Sequence, residues 1–130
     1  MMGEANLLGA SPFLIVSELS AALDCYRDRL GFEVELELPP GAPFFAIVRR
    51  EGASFLLKEV GMAPEPNPRR HPDARWDVFV ATRDPDALHE ELVSRGATIH
   101  RDLADTDDGL RCFEVEDADG HVLCFGRPRT

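Results

Sequence analysis

The side chains able to do chemistry in this sequence are few and scattered. His71, His89, His100 and His121 stand at no metal-ligand spacing from one another. His71 lies in a proline-rich stretch, His89 falls on the polar side of a helix and His121 follows a turn glycine. All four therefore read as solvent-exposed. Cys25, Cys112 and Cys124 show no Cys-x-x-Cys spacing. They read as small buried apolar residues with free thiols, as in a reducing, cytoplasmic compartment. No G-x-S-x-G nucleophile elbow is present. The acidic tract Asp105, Asp107, Asp108, Glu114, Glu116, Asp117 and Asp119 lacks the spacing of a calcium loop and reads as a solvated hairpin surface. Four other side chains each carry two readings. Asp77 is a polar group at a cleft mouth or a strand-end carboxylate. Trp76 stacks on a flat ligand or packs at an interface. Lys58 offers a cation to an anionic ligand or reaches water. Arg111 clamps an anion or pairs with a surface acid.

The elements that must position these residues come in duplicate. Offset by 65 residues, FLIVSELSAALDCYRDRLGFEV (13–34) lies over VFVATRDPDALHEELVSRGATI (78–99). Ala22 then meets Ala87, Leu23 meets Leu88, and Gly31 meets Gly96. At an offset of 68, RREGASFLL (49–57) lies over DADGHVLCF (117–125). Each unit opens with a short apolar strand, Phe13–Val16 or Val78–Ala81. A helix follows, with Ser20 or Asp84 as N-cap and Pro85 at the first helical position of the second unit. Ala22, Leu23, Tyr26 and Leu30 form the apolar stripe of the first helix, and Gly31 and Gly96 end the two helices. Three strand-like stretches complete each unit: 33–38, 44–49 and 54–60, then 98–102, 111–116 and 121–125. Residues 62–75 hold four prolines and no periodicity, and read as a linker. The order predicts an α+β domain of two tandem βαβββ modules, about 11–61 and 76–126, within one domain spanning 1–130.

Composition limits the partners. Acidic residues number 24 against 14 basic, a net charge of −10, which disfavours nucleic acid. No apolar run is long enough to span a membrane, and the opening MMGEANLLGASP has no basic region or long apolar stretch of a secretory signal.

Three stretches resemble the vicinal-oxygen-chelate superfamily, also called the glyoxalase/bleomycin resistance/dioxygenase superfamily. FLIVSELSAALDCYRDRLGFEV is similar to its first strand and helix. WDVFVATRDPDALHEELVSRGATI is similar to the start of its second module, and DADGHVLCFG to its last hairpin. The resemblance implies a curved sheet around a cleft. In metal-dependent members four inward side chains hold a divalent cation, and those positions fall here at Ser11 (or Pro12), Leu56, Asp77 and Cys124. Leu56 has no donor atom, so this set predicts a lost metal site and no cofactor.

Strand alternation turns Ser54, Leu56 and Lys58, Asp77, Phe79 and Ala81, and Val122 and Cys124 toward a mostly apolar cleft. Phe44 and Phe45 read as core or dimer contacts. The resemblance points to the metal-free, bleomycin-resistance-like branch: a homodimer that sequesters a small molecule, with Phe13, Leu56, Lys58, Trp76, Asp77, Phe79, Arg111 and Cys124 as ligand-binding candidates. The alternatives are a metal-dependent lyase, epimerase or dioxygenase, and a protein-interaction module.

Overall fold

A computed structural model describes residues 3–129. Two four-stranded mixed sheets repeat one topology. Sheet A holds β1 (Phe13–Val16), β2 (Glu33–Leu38), β3 (Phe45–Arg50) and β4 (Ala53–Glu59) in the order β1-β4-β3-β2. Sheet B holds β5 (Val78–Ala81), β6 (Thr98–Asp105), β7 (Leu110–Glu116) and β8 (Val122–Pro128) in the order β5-β8-β7-β6. The first strand of each unit pairs parallel to the last, and the other pairs are antiparallel. Both sheets stay open, so β1 and β5 are edge strands.

Helix α1 (Leu19–Asp24) crosses behind sheet A, and α3 (Pro85–Ser94) behind sheet B. The two begin differently. Asp84 caps α3 by accepting from the Ala87 amide at 3.1 Å, as an N-cap carboxylate should. Ser20 does not cap α1. The N-cap position is Glu18, two residues earlier, and the helix starts at Leu19, whose amide donates to Glu59 Oε1 of β4 at 2.8 Å. The cap thus comes from across the sheet. From Cys25 to Arg29 the helix widens into a π-type turn, in which the Leu30 amide reaches back to the Cys25 carbonyl. Gly31 and Gly96 then stop the helices with φ of 76° and 81°, a left-handed geometry that costs glycine nothing. The linker is not wholly irregular, since Asn67–Arg70 form a single helical turn, α2.

One apolar core lies on the helix sides of both sheets. Tyr26, Phe32 and Phe55 pack ring against ring at 5.3–5.6 Å, and Phe113 stacks on Phe125 at 5.5 Å. Leu92 of α3 and Leu57 of β4 belong to the same cluster. The whole predicted stripe of α1 is buried. The modules therefore join through their helical sides. The opposite face of sheet A stays partly exposed, whereas on that of sheet B Cys112, Glu114, Val122 and Cys124 are buried.

Candidate functional site

Burial of Phe55 and Leu57 turns Ser54, Leu56 and Lys58 to the open side of sheet A. The strand register sets Phe13 and Ile47 beside Leu56, and Ile15 and Phe45 beside Lys58. This face is apolar at its centre, while Ser54 and Arg49, which pairs with Glu35, lie at one end of it. Phe13 is 56% exposed and Phe44, at its rim, 47%, so neither is a core residue. The Lys58 ammonium sits 5.7 Å from the centre of the Phe44 ring. Sheet A thus presents aromatic and aliphatic side chains between two cations, Lys58 and the Glu35-paired Arg49.

The face of sheet B away from the core is different, because most of its side chains are buried. Phe113, Val115, Leu123 and Phe125 point into the core, so Cys112, Glu114 and Cys124 point away from it. Phe79 lies beside Cys124 on β5 and is 41% exposed. Trp76 packs against Phe79 at 5.9 Å, and the Arg75 guanidinium lies 5.0 Å from the Trp76 ring. Arg75 also reaches Glu114 at 3.4 Å and Asp108 at 3.3 Å. Glu114, only 3% exposed, is a buried carboxylate that the sequence did not single out. The Cys124 thiol is pushed well up by burial, by Cys112 and by Glu114, so it is no thiolate at neutral pH.

The eight candidates do not converge within one chain. Phe13, Leu56 and Lys58 share the open face of sheet A, and Trp76, Phe79 and the buried Cys124 lie on the far side of sheet B. Among the described residues, no hydrogen bond, ion pair or ring contact joins the two faces. Two candidates lie elsewhere. Both carboxylate oxygens of Asp77 are engaged by backbone: the Asn67 amide at 2.7 Å and the Val122 amide at 2.8 Å. Asp77 ties the linker to the start of β8. Arg111 shares the helix side of β7 with Phe113. It clamps Asp86, in the first turn of α3, through two hydrogen bonds at 2.9 and 3.1 Å, and reaches Asp105 at 3.4 Å. It is a surface ion pair outside both of these faces.

The acidic tract and His121 depart furthest from the sequence reading. His121 is 4% exposed, and Asp117 is buried beside it. Asp117 Oδ1 accepts from the Asp119 and His121 amides, both at 2.9 Å. Its Oδ2 accepts from the Tyr26 hydroxyl at 2.9 Å and pairs with His121 Nδ1 at 2.8 Å. Burial pulls the His121 imidazole down, but the hydrogen bond and charge of Asp117 outweigh it and leave the group above its ordinary value. Burial, with Asp117 alongside, raises the Tyr26 phenol and lifts the Cys25 thiol to about 11. This turn is an internal junction between modules, buried because α1 of the other unit packs on it.

A divalent metal, which the resemblance implies for some relatives, does not fit the four positions. Leu56 offers no lone pair, Asp77 is spent on backbone amides, Cys124 is a buried thiol and Ser11 precedes β1 on an exposed stretch. Asp117, Asp119 and His121 approach within 4.8 Å of one another, but the acceptor sites of Asp117 are already taken.

A groove of about 740 Å³ runs between the modules. Its apolar walls include Phe32, Phe55, Val78, Val80 and Leu88, and the Arg50–Glu91 pair closes one side. Of the eight candidates only Phe79 borders it. No helix of the described residues is long and apolar enough to cross a membrane.

Known structures share this architecture. TioX from Micromonospora sp. ML1 is 22% identical, over 92% of this chain and 99% of its own, with a TM-score of 0.69. TnmS3, an antibiotic binding protein from Streptomyces sp. CB03234, is 22% identical over 96% and 99%, also at 0.69. The bleomycin-binding protein of Streptomyces verticillus, solved with copper(II)-bleomycin, is 26% identical over 94% and 97%, at 0.68. No curated protein matches the chain in sequence. Residues 9–125 match the model of one family, and the duplicated β-α-β-β-β order agrees with it: the chain belongs to the glyoxalase/bleomycin resistance protein/dioxygenase superfamily.

Proposed function

We propose that this protein is a metal-free binder of a small, partly apolar molecule, of the drug or natural-product type, and that it works as a homodimer. The observation that carries the reading is the uncovered apolar face of sheet A, with Phe13, Ile15, Phe45, Ile47 and Leu56 open to water on one side. A contiguous apolar patch of this kind marks a binding surface. In this reading the open face of sheet A in one copy meets the far side of sheet B in another. The two halves of the site, Phe13, Leu56 and Lys58 with Trp76, Phe79 and Cys124, then line one cleft. The antibiotic-binding and bleomycin-binding relatives support the ligand class. The donor-poor set at Ser11, Leu56, Asp77 and Cys124 supports the absence of metal. Three buried free cysteines support a cytoplasmic location. Residues 1–130 form a single domain in this reading.

Sedimentation velocity combined with titration of bleomycin against Trp76 fluorescence tests the proposal. A dimer that quenches saturably, with no stoichiometric metal by elemental analysis, is the expected result. A monomer without any small-molecule response, or one bound divalent ion per chain, would overturn it.

A further inference from the structure

We infer that Arg75 is a built-in occupant of a cation site on sheet B, and that a flat aromatic ligand bearing a guanidinium- or amidinium-type cation displaces it. The inference rests on the small-molecule-binding reading above and names the chemistry that one half of the site selects.

Glu114 provides the anion. Its side chain is 3% exposed and flanked by Cys112 and Cys124, neither of which is an anion-stabilising neighbour. A buried carboxylate is costly unless hydrogen bonds satisfy it. Its closest cationic partner is Arg75, through one nitrogen at 3.4 Å, and His100 Nε2 stands farther off at 3.9 Å. Charge-assisted pairs normally close to about 2.7–2.9 Å, often with two parallel bonds. The same chain shows such a pair elsewhere: Arg50 grips Glu91 at 2.7 and 2.9 Å. Arg75 instead divides itself between Glu114 and Asp108, and neither contact reaches that geometry. Arg101 faces Glu114 across β6 and β7 without pairing with it, and Glu116 engages His100.

Arg75 also shows what shape the place accepts. It comes from the linker rather than the sheet, remains about one-third exposed, and sits 5.0 Å from the centre of the Trp76 ring. Trp76 packs on Phe79 at a tilt of 40°, and Phe79 lies beside Cys124, the strand neighbour of Glu114, so two aromatic rings border the approach to the buried carboxylate. A free ligand combining an aromatic plane with a delocalised cation would stack on these rings and hold Glu114 with both donors, without the linker's restraint. An anionic ligand would meet Glu114 directly and be rejected.

The test uses two acridines of similar outline, cationic proflavine and neutral acridone, titrated by fluorescence against wild type, R75A, E114Q and the double variant. R75A is expected to bind proflavine about tenfold more tightly, because a competing occupant no longer reduces the receptive fraction. E114Q is expected to weaken proflavine by about tenfold and to cancel the gain in the double variant. Acridone affinity should change little in any variant. R75A lies on a half-exposed linker, so its result stands even if E114Q proves unstable by thermal melting. Unchanged or weaker proflavine binding by R75A overturns the inference. If acridone still binds in that case, the small-molecule reading survives alone, and if neither probe binds any variant, both fall.

Discussion

The Tyr26 hydroxyl donates to Asp117 Oδ2 at 2.9 Å across a sequence separation of 91 residues, fastening the π-type turn of module one to the β7–β8 turn of module two. The repeat gives this bond a counterpart. At the same 65-residue offset Glu91 takes the place of Tyr26, and it binds Arg50, the residue beside the β3–β4 turn. Two quasi-equivalent seams thus hold the modules together, one a buried polar junction and the other an ion pair.

Removing the hydroxyl with Y26F leaves the ring in its aromatic cluster and deprives Asp117 of one of four donors. Leaving a buried acceptor short costs about 1–3 kcal/mol. Urea denaturation followed by far-ultraviolet circular dichroism should show this loss, with an unchanged slope.

His121 gives the first seam a pH dependence. Its folded value lies above the ordinary imidazole value of 6.5. Its contribution is therefore complete below about pH 6.5 and is lost as pH rises through the raised folded value. The stability gap between wild type and H121Q should narrow as pH rises above the ordinary imidazole value of 6.5. A gap that stays constant would show that the folded imidazole titrates at its ordinary value, and a gap that widens would show that it stays neutral in the fold.

Glu91 acts in the opposite direction and at lower pH. Arg50, and then Arg95, hold its carboxyl down at about 2, against 4.5 for the free group. The stability it adds is present above pH 4.5 and disappears as pH falls toward 2. Since the side chain is about one-third exposed, solvent screening reduces the neutral-pH loss in E91Q to about 1 kcal/mol. Acid titration should show wild type and E91Q converging at low pH.

Phe13 tests the open face of sheet A. It contributes little to the core of its own chain, so F13D should keep its melting temperature at concentrations where the chain is a monomer. The same variant should lose self-association and ligand-induced quenching of Trp76. Normal association by F13D would remove this face from the dimer contact.

The three thiols should resist modification. All are buried, and burial raises Cys25 to about 11 and Cys124 higher still. Ellman's reagent is expected to find no fast-reacting thiol in the native protein and three after guanidinium unfolding.

Much of the fold was legible because its signals are local or periodic. The limits of β1 and β5, the Asp84 cap and the two glycine stops follow from short-range sequence chemistry, and the repeat shows that each occurs within a copied unit. What remained hidden depends on distant partners. The cap of α1 comes from Glu59, 40 residues away from Leu19. Asp-x-Asp-Gly-His looked like a wet turn because nothing nearby in sequence tells that Tyr26 will cover it. Glu114 was read as part of an acidic surface, although strand alternation places it between two cysteines. The charge of Arg111 suits an anion clamp or a surface pair, and its side of β7 directs it to the surface pair with Asp86. Of the eight candidate site residues, alternation placed Leu56, Lys58, Phe79 and Cys124 on the faces away from the helices. It could not foresee that the modules join by their helical sides.

The difference between the two seams gives the molecule an unequal grip on itself. Dissolved salt screens Arg50 and Glu91, both reachable by water, but leaves the Tyr26–Asp117 contact almost untouched. Ionic strength therefore slackens the modules on one flank only, and that flank borders the groove beneath β5. The two halves match in fold, yet one seam answers to the salt around it and the other does not.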